Sequence, residues 1–188
     1  ADCLKPGVLK GDILLNLDSE TFGELYIGCA GGLDATADFK YRSCKVPEGF
    51  VSYQLTVKGM QGGHSGMDII LYRANANKVA ARILLPLMEQ FGVKLASIRG
   101  GSLRNAIPFE AEAEVFVPSA AVRKVKTCVE AVFAQVKAEF GQTDPSAVCF
   151  FEKVAKPSKS YIQDKVALNA VKAVLACLCG VERRSGAV

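Results

Sequence analysis

The chain has a single histidine, His64, among its 188 residues. One imidazole excludes a multi-histidine metal site. Long hydrophobic runs are missing as well: none approaches the roughly 18 residues that a membrane-spanning helix needs. There is no Lys/Arg block. The net charge of +4 is spread out, with basic residues alternating with acidic ones, and the aromatic residues sit mostly in apolar runs. This pattern argues against a nucleic-acid partner and against a membrane partner. The start, Ala1-Asp2-Cys3-Leu4-Lys5-Pro6, has neither a signal-peptide architecture nor an initiator methionine. It reads as a cut inside a longer protein, and Arg183-Arg184-Ser185-Gly186-Ala187-Val188 reads the same way at the other end. Low-complexity tracts are also lacking.

What is present is globular. Half of the residues are hydrophobic, enough for a real core, and the length fits one domain or one domain with pieces of another. Seven cysteines are scattered along the chain. The odd count and the apolar surroundings predict reduced, mostly buried thiols in a cytosolic protein. Cys177-Leu178-Cys179 is too closely spaced for a usual zinc knuckle.

The chain is organised around Lys58-Gly59-Met60-Gln61-Gly62-Gly63-His64-Ser65-Gly66. An extended apolar run leads into this stretch, and glycines let the backbone turn sharply around one approachable imidazole. The residues alone leave two readings: a glycine-rich turn with an exposed histidine, or a functional imidazole.

Upstream, Ile13-Leu14-Leu15-Asn16-Leu17 reads as a short buried strand, and Glu24 to Cys29 as another. Asp18-Ser19-Glu20 follows the first strand directly. Its carboxylates are either the polar end of a strand or groups placed where α/β enzymes put their chemistry. Phe39 to Cys44 alternates roughly. Phe50 to Val57 alternates clearly, with Val51, Tyr53, Leu55 and Val57 on one face. Asn75 to Phe91 has helical spacing ended by Gly92, with Pro86 inside it predicting a kink or break. Val93 to Ile98 reads as a strand. Phe109 to Val117 alternates strictly, with Glu110, Glu112 and Glu114 on one face. A helix to Phe140 follows, stopped by Gly141, and then a strand from Ala147 to Val154. Lys156 to Ser160 reads as a linker, and Gln163-Asp164 as the cap of a last helix running to about Cys179.

From Phe50 to Val154 the order is strand, helix, strand, strand, helix, strand. This is the α+β, ferredoxin-like split βαβ arrangement. It predicts a four-stranded antiparallel sheet with two helices on one face and the glutamate row on the other. Such sheets often pair or pack in dimers.

Five motifs in order then carry a resemblance: Leu14-Leu15-Asn16-Leu17-Asp18-Ser19-Glu20, Ile27-Gly28-Cys29-Ala30-Gly31-Gly32, Gly62-Gly63-His64-Ser65-Gly66, Asn75-Ala76-Asn77-Lys78 and Leu103-Arg104-Asn105-Ala106-Ile107-Pro108. Together they resemble the aminoacyl-histidine dipeptidase group of the M20 metallopeptidase family, over nearly the whole chain. The resemblance implies that residues 1–32 are the edge of a metal-binding catalytic domain and residues 33–157 a lid or dimerisation domain. Residues 158–188 would be a linker and helix from a truncated further part of the lid. It implies that Asp18 is a metal ligand, that His64 stabilises the tetrahedral oxyanion, and that Asn105 helps to hold substrate. It also implies two zinc ions in the parent enzyme, with none bound by this piece alone, whose ligand set is incomplete. A dipeptide substrate, a homodimer and a cytoplasmic location follow from the same resemblance. Thr21-Phe22 replaces acidic residues that often follow Asp-Ser-Glu in the family. Two other readings remain at this stage: an M20 hydrolase of different specificity, such as a tripeptidase or amidohydrolase, and a non-enzymatic ferredoxin-like module that binds a ligand and dimerises.

Overall fold

A computed structural model describes residues 5, 7, 8, 10–13, 15, 22–28 and 31–182. The chain divides into two units, Ala1–Ala37 and Asp38–Val188. In the first unit, residues 24–28 form no strand. The reason is physical: a strand exists only where its N–H and C=O groups find a partner ladder, and among the described residues of this unit none pairs with it. Ile13 and Leu15 are not in a strand either, while the rest of that run, with Asp18, lies outside the described residues.

The second unit holds the regular structure. In chain order it contains β1 (Ser43–Lys45), β2 (Phe50–Lys58), β3 (Gly63–His64), α1 (Ala76–Phe91), β4 (Lys94–Gly100), β5 (Ala106–Ile107), β6 (Ala111–Pro118), α2 (Val122–Phe140), β7 (Val148–Lys153), β8 (Ser160–Ile162) and α3 (Asp164–Ala176). The main sheet has the order β4-β6-β2-β7, and all its pairings are antiparallel. This is the split βαβ topology expected from the order of elements.

Side-chain alternation decides which face is buried. Tyr53, Leu55 and Val57 of β2 lie beside Ala111, Ala113, Val115 and Val117 of β6, all buried. β4 joins this face through Leu95 and, after a bulge between Leu95 and Ser97, through Ile98. The bulge shifts the alternation by one residue, so both side chains reach the same core. α1 and α2 close over this face and touch each other. α1 buries Val79, Ile83, Leu84 and Leu87, and α2 buries Val125, Val129 and Val136.

α1 has well-made ends. The Asn75 side chain accepts hydrogen bonds from the Asn77 and Lys78 N–H groups, and Gly92, at φ 66°, donates its N–H to the Leu87 carbonyl. The helix is unbroken through Pro86, so the proline does not divide it. An interior proline costs about 3 kcal/mol, whereas each buried Leu, Ile or Val returns about 1.5–3 kcal/mol. The apolar stripe on both sides of Pro86 therefore keeps the helix whole.

The polar stretch before the last helix is more than a linker. β8 pairs with β1, Cys44 opposite Tyr161. Ser158 donates to the Glu114 carboxylate from both its N–H (2.8 Å) and its hydroxyl (2.5 Å), and the Ser52 hydroxyl adds a third bond at 2.9 Å. One member of the glutamate row is thus tied down. Desolvation would raise its pKa, but the hydrogen bonds from Ser158 and Ser52 outweigh this and leave it lowered. α3 packs on α1 through Ala167 and Val171, both buried. At its start the Gln163 side chain makes no capping bond; instead the Asp164 carboxylate accepts from Lys94 Nζ at 2.6 Å. The helix ends at Ala176, short of Cys179.

The cysteines correct the expectation of mostly buried thiols. Cys44, Cys128 and Cys149 are half-buried, and Cys177 and Cys179 are exposed, all as free thiols. Cys3 and Cys29 lie outside the described residues. Burial pushes the Cys149 thiol up to about 11.

Candidate functional site

The glycine-histidine stretch leaves β2 and immediately makes a small ladder of its own. β3 pairs antiparallel with β5, Gly63 opposite Ile107 and His64 opposite Ala106. The Ser65 N–H then donates to the Asn105 carbonyl at 2.9 Å. This brings together two of the residues singled out from sequence, with His64 and Asn105 on neighbouring rungs. Both are exposed. Asp18 is the third, and it lies outside the described residues.

The imidazole of His64 has a defined chemical orientation. Its Nδ1 accepts hydrogen bonds from the Gly66 N–H at 3.1 Å and the Met67 N–H at 3.2 Å. A ring nitrogen that accepts N–H bonds carries no proton, so the proton of the neutral ring sits on Nε2. The ring is thereby set up as an Nε2–H donor. Gly66 permits this closeness, since a Cβ there would stand 3.2 Å from the ring.

Three charged residues not singled out from the sequence shape the loop. Asp68 Oδ2 accepts the His64 backbone N–H at 2.8 Å, and the Asp68 N–H donates to the His64 carbonyl at 2.9 Å. Arg73 donates to the Gly62 carbonyl at 2.6 Å and lies 3.4 Å from the Asp68 carboxylate. Gly63 has φ 136°, and a Cβ there would collide with both Asp68 and Arg73. Asp144, 2% exposed, sits beneath. One of its oxygens accepts the Gln61 N–H at 2.9 Å, and the other accepts the Ala74 N–H and the Thr143 hydroxyl, each at 2.8 Å. Both feet of the loop therefore stand on one carboxylate. Asp68 and Arg73 had a local signal, being opposite charges just beyond the glycines. Asp144 had none, because the two loop residues it holds, Gln61 and Ala74, are distant in sequence.

Beside this loop lies a cavity of about 430 Å³ whose polar lining includes Ser65, Asn75, Asn77, Ser102 and Arg104. Asn77 Nδ2 donates to the Gly100 carbonyl at 3.4 Å, and the Ala76 N–H donates to the Pro108 carbonyl at 2.9 Å. These bonds fasten the end of β4 and the residue after β5 to the start of α1. Among the described residues no group of three or more His, Cys, Asp or Glu side chains could hold a metal ion. His64 offers no free lone pair in this arrangement, since Nδ1 accepts two N–H bonds and Nε2 carries the proton. The described donors thus do not fit a zinc pair. Among the described residues no helix is long and apolar enough to cross a membrane.

Comparison with known proteins gives this geometry a family. Residues 51–144 match the model of the peptidase dimerisation domain of M20 enzymes. The chain is 39% identical over 154 residues to the cytosol non-specific dipeptidase of Escherichia coli (strain K12), a match covering 82% of this chain and 32% of that protein. It also superposes on the crystal structure of aminoacylhistidine dipeptidase from Vibrio alginolyticus with a TM-score of 0.81 at 40% identity, covering 98% of this chain and 38% of the other. The chain therefore spans about a third of the length of these two relatives. With the family model, the identity and the superposition in agreement, the chain belongs to the M20 peptidase family and carries its dimerisation domain.

Proposed function

We propose that this chain is the lid-bearing part of a cytoplasmic zinc dipeptidase that hydrolyses Xaa-His and similar dipeptides as a homodimer. In this reading residues 1–32 are an edge of the catalytic domain, residues 33–157 the lid, and residues 158–188 the beginning of a further part of the lid. Two zinc ions belong to the parent enzyme, with Asp18 among their ligands. Its partners are the dipeptide and a second copy of the enzyme; nucleic acid and membrane have no part.

The observation that carries the proposal is the His64 imidazole beside Asn105, with Nδ1 satisfied and the proton on Nε2. Attack on a peptide carbonyl builds negative charge on its oxygen. An N–H held in place before the reaction stabilises that charge without reorganisation in the transition state. A donor on a lid also reaches the substrate only on closure, which excludes water from the reacting bond. His64 is thus the oxyanion donor, and Asn105, one rung away, holds the substrate.

The test is His64→Ala in the full-length enzyme. Turnover should fall by roughly two to three orders of magnitude while the metal content stays constant. Unchanged turnover would reject the donor role. Comparing Xaa-His dipeptides with tripeptides in the same enzyme separates a dipeptidase from a relative of different specificity.

A further inference from the structure

The reading of His64 as a donor leaves open what keeps its ring in the donor form. The loop contains four glycines between Gly59 and Gly66, and such a backbone is permissive by itself. An imidazole with a released Nδ1 can place its proton on either nitrogen. Two N–H groups, from Gly66 and Met67, hold Nδ1, and both come from the turn after His64. That turn closes through Asp68, which binds the N–H of His64 with its side chain and the carbonyl of His64 with its own N–H. Arg73 holds the carbonyl of Gly62, two residues before His64, and presents the same terminal nitrogen to the Asp68 carboxylate. The side chains of Arg73 and Asp68 are only 21% and 31% exposed. The pair is therefore better shielded than an ordinary surface ion pair.

We propose that Asp68 and Arg73 are positioning residues for His64. They hold the loop in the one turn that occupies Nδ1 and leaves Nε2–H as the donor of the ring. This rests on the reading of His64 as an oxyanion donor and adds the groups that act through it. Neither residue needs to touch substrate. A role confined to stability would weaken the fold without altering the ring, and that difference makes the proposal testable.

The chain has one histidine, so its imidazole nitrogens give one pair of ¹⁵N signals. At about pH 8, above the ordinary imidazole range, the unaltered chain should show a pyridine-type Nδ1 and a pyrrole-type Nε2. Asp68→Ala and Arg73→Ala should move both signals toward an exchange average of the two tautomers. Arg73→Lys, which keeps a cation beside Asp68 and a donor for Gly62, should restore much of the original pattern. In the full-length enzyme Asp68→Ala should lower kcat by roughly a hundredfold with KM unchanged. A fixed imidazole pattern in folded Asp68→Ala and Arg73→Ala chains overturns the proposal. Should Asp68→Ala lose its dispersed amide spectrum, the two Arg73 variants decide: an unmoved pattern in both overturns it. If His64→Ala leaves turnover intact while the ring still responds to Asp68→Ala, the donor reading fails and the positioning role stands. The reverse pair of results removes the positioning role alone.

Discussion

Asp144 is the residue on which the His64 loop rests. Its carboxylate, almost fully buried, accepts three hydrogen bonds, two of them from backbone N–H groups at Gln61 and Ala74. Bonds to a charged acceptor contribute about 1.5–3 kcal/mol each, and removing the acceptor leaves buried donors unsatisfied. Asp144→Ala should therefore cost about 3 kcal/mol of unfolding free energy, measured by urea denaturation. Asp144→Asn, which keeps one accepting oxygen, should lose less. A loss for the alanine variant below about 1 kcal/mol, the value of a single neutral bond, would show that Asp144 does not hold the loop. The same residue illustrates what a linear reading overlooks. His64 and Asn105 stand in recognisable motifs, whereas Asp144 lies in an unremarkable Gln142-Thr143-Asp144-Pro145 turn, and its role appears only once the chain has folded back.

Among the elements, the legible ones are those long enough to show a period. β2 and β6 alternate over eight or more residues, and α1 and α2 carry apolar stripes at helical spacing, so their positions and buried faces follow from the residues. β3 and β5 have two residues each, and β1 and β8 three. No period fits in such lengths, and their pairing depends on where the larger sheet brings them. Two further tests belong here. Pro86 leaves α1 without one internal hydrogen bond at a half-buried position. Pro86→Ala should raise the urea midpoint, by up to about 3 kcal/mol in stability; a fall would mean that the proline ring itself is needed in the packing. The second test concerns Glu114. Its folded pKa lies below the ordinary value, so its contribution is fully present above the unfolded carboxyl pKa. That contribution is lost as pH falls through the folded value. An acid titration followed by circular dichroism should show this loss, and Ser158→Ala should make it smaller. An identical titration in the variant would show that Ser158 does not hold the carboxylate.

For the whole molecule, the proposed division of labour has a direct consequence. In the proposal the chain contributes a donor and a substrate contact; its described residues make no metal site. Incubated with zinc and an Xaa-His dipeptide, the 188-residue chain should release no free amino acid, while the full-length enzyme should release it readily. Turnover by the chain alone, abolished by chelation, would refute that division.

A segment whose two feet stand on a single acceptor is close to a cassette. Residues 61–74 bring their own internal fastenings in Asp68 and Arg73, and they ask of the scaffold little more than an aspartate placed like Asp144 and a β5-like rung to lie against. Transplanting the segment between homologous dimerisation domains should thus transfer the poise of the imidazole intact, and recombination or engineering could exchange it without rebuilding the sheet beneath.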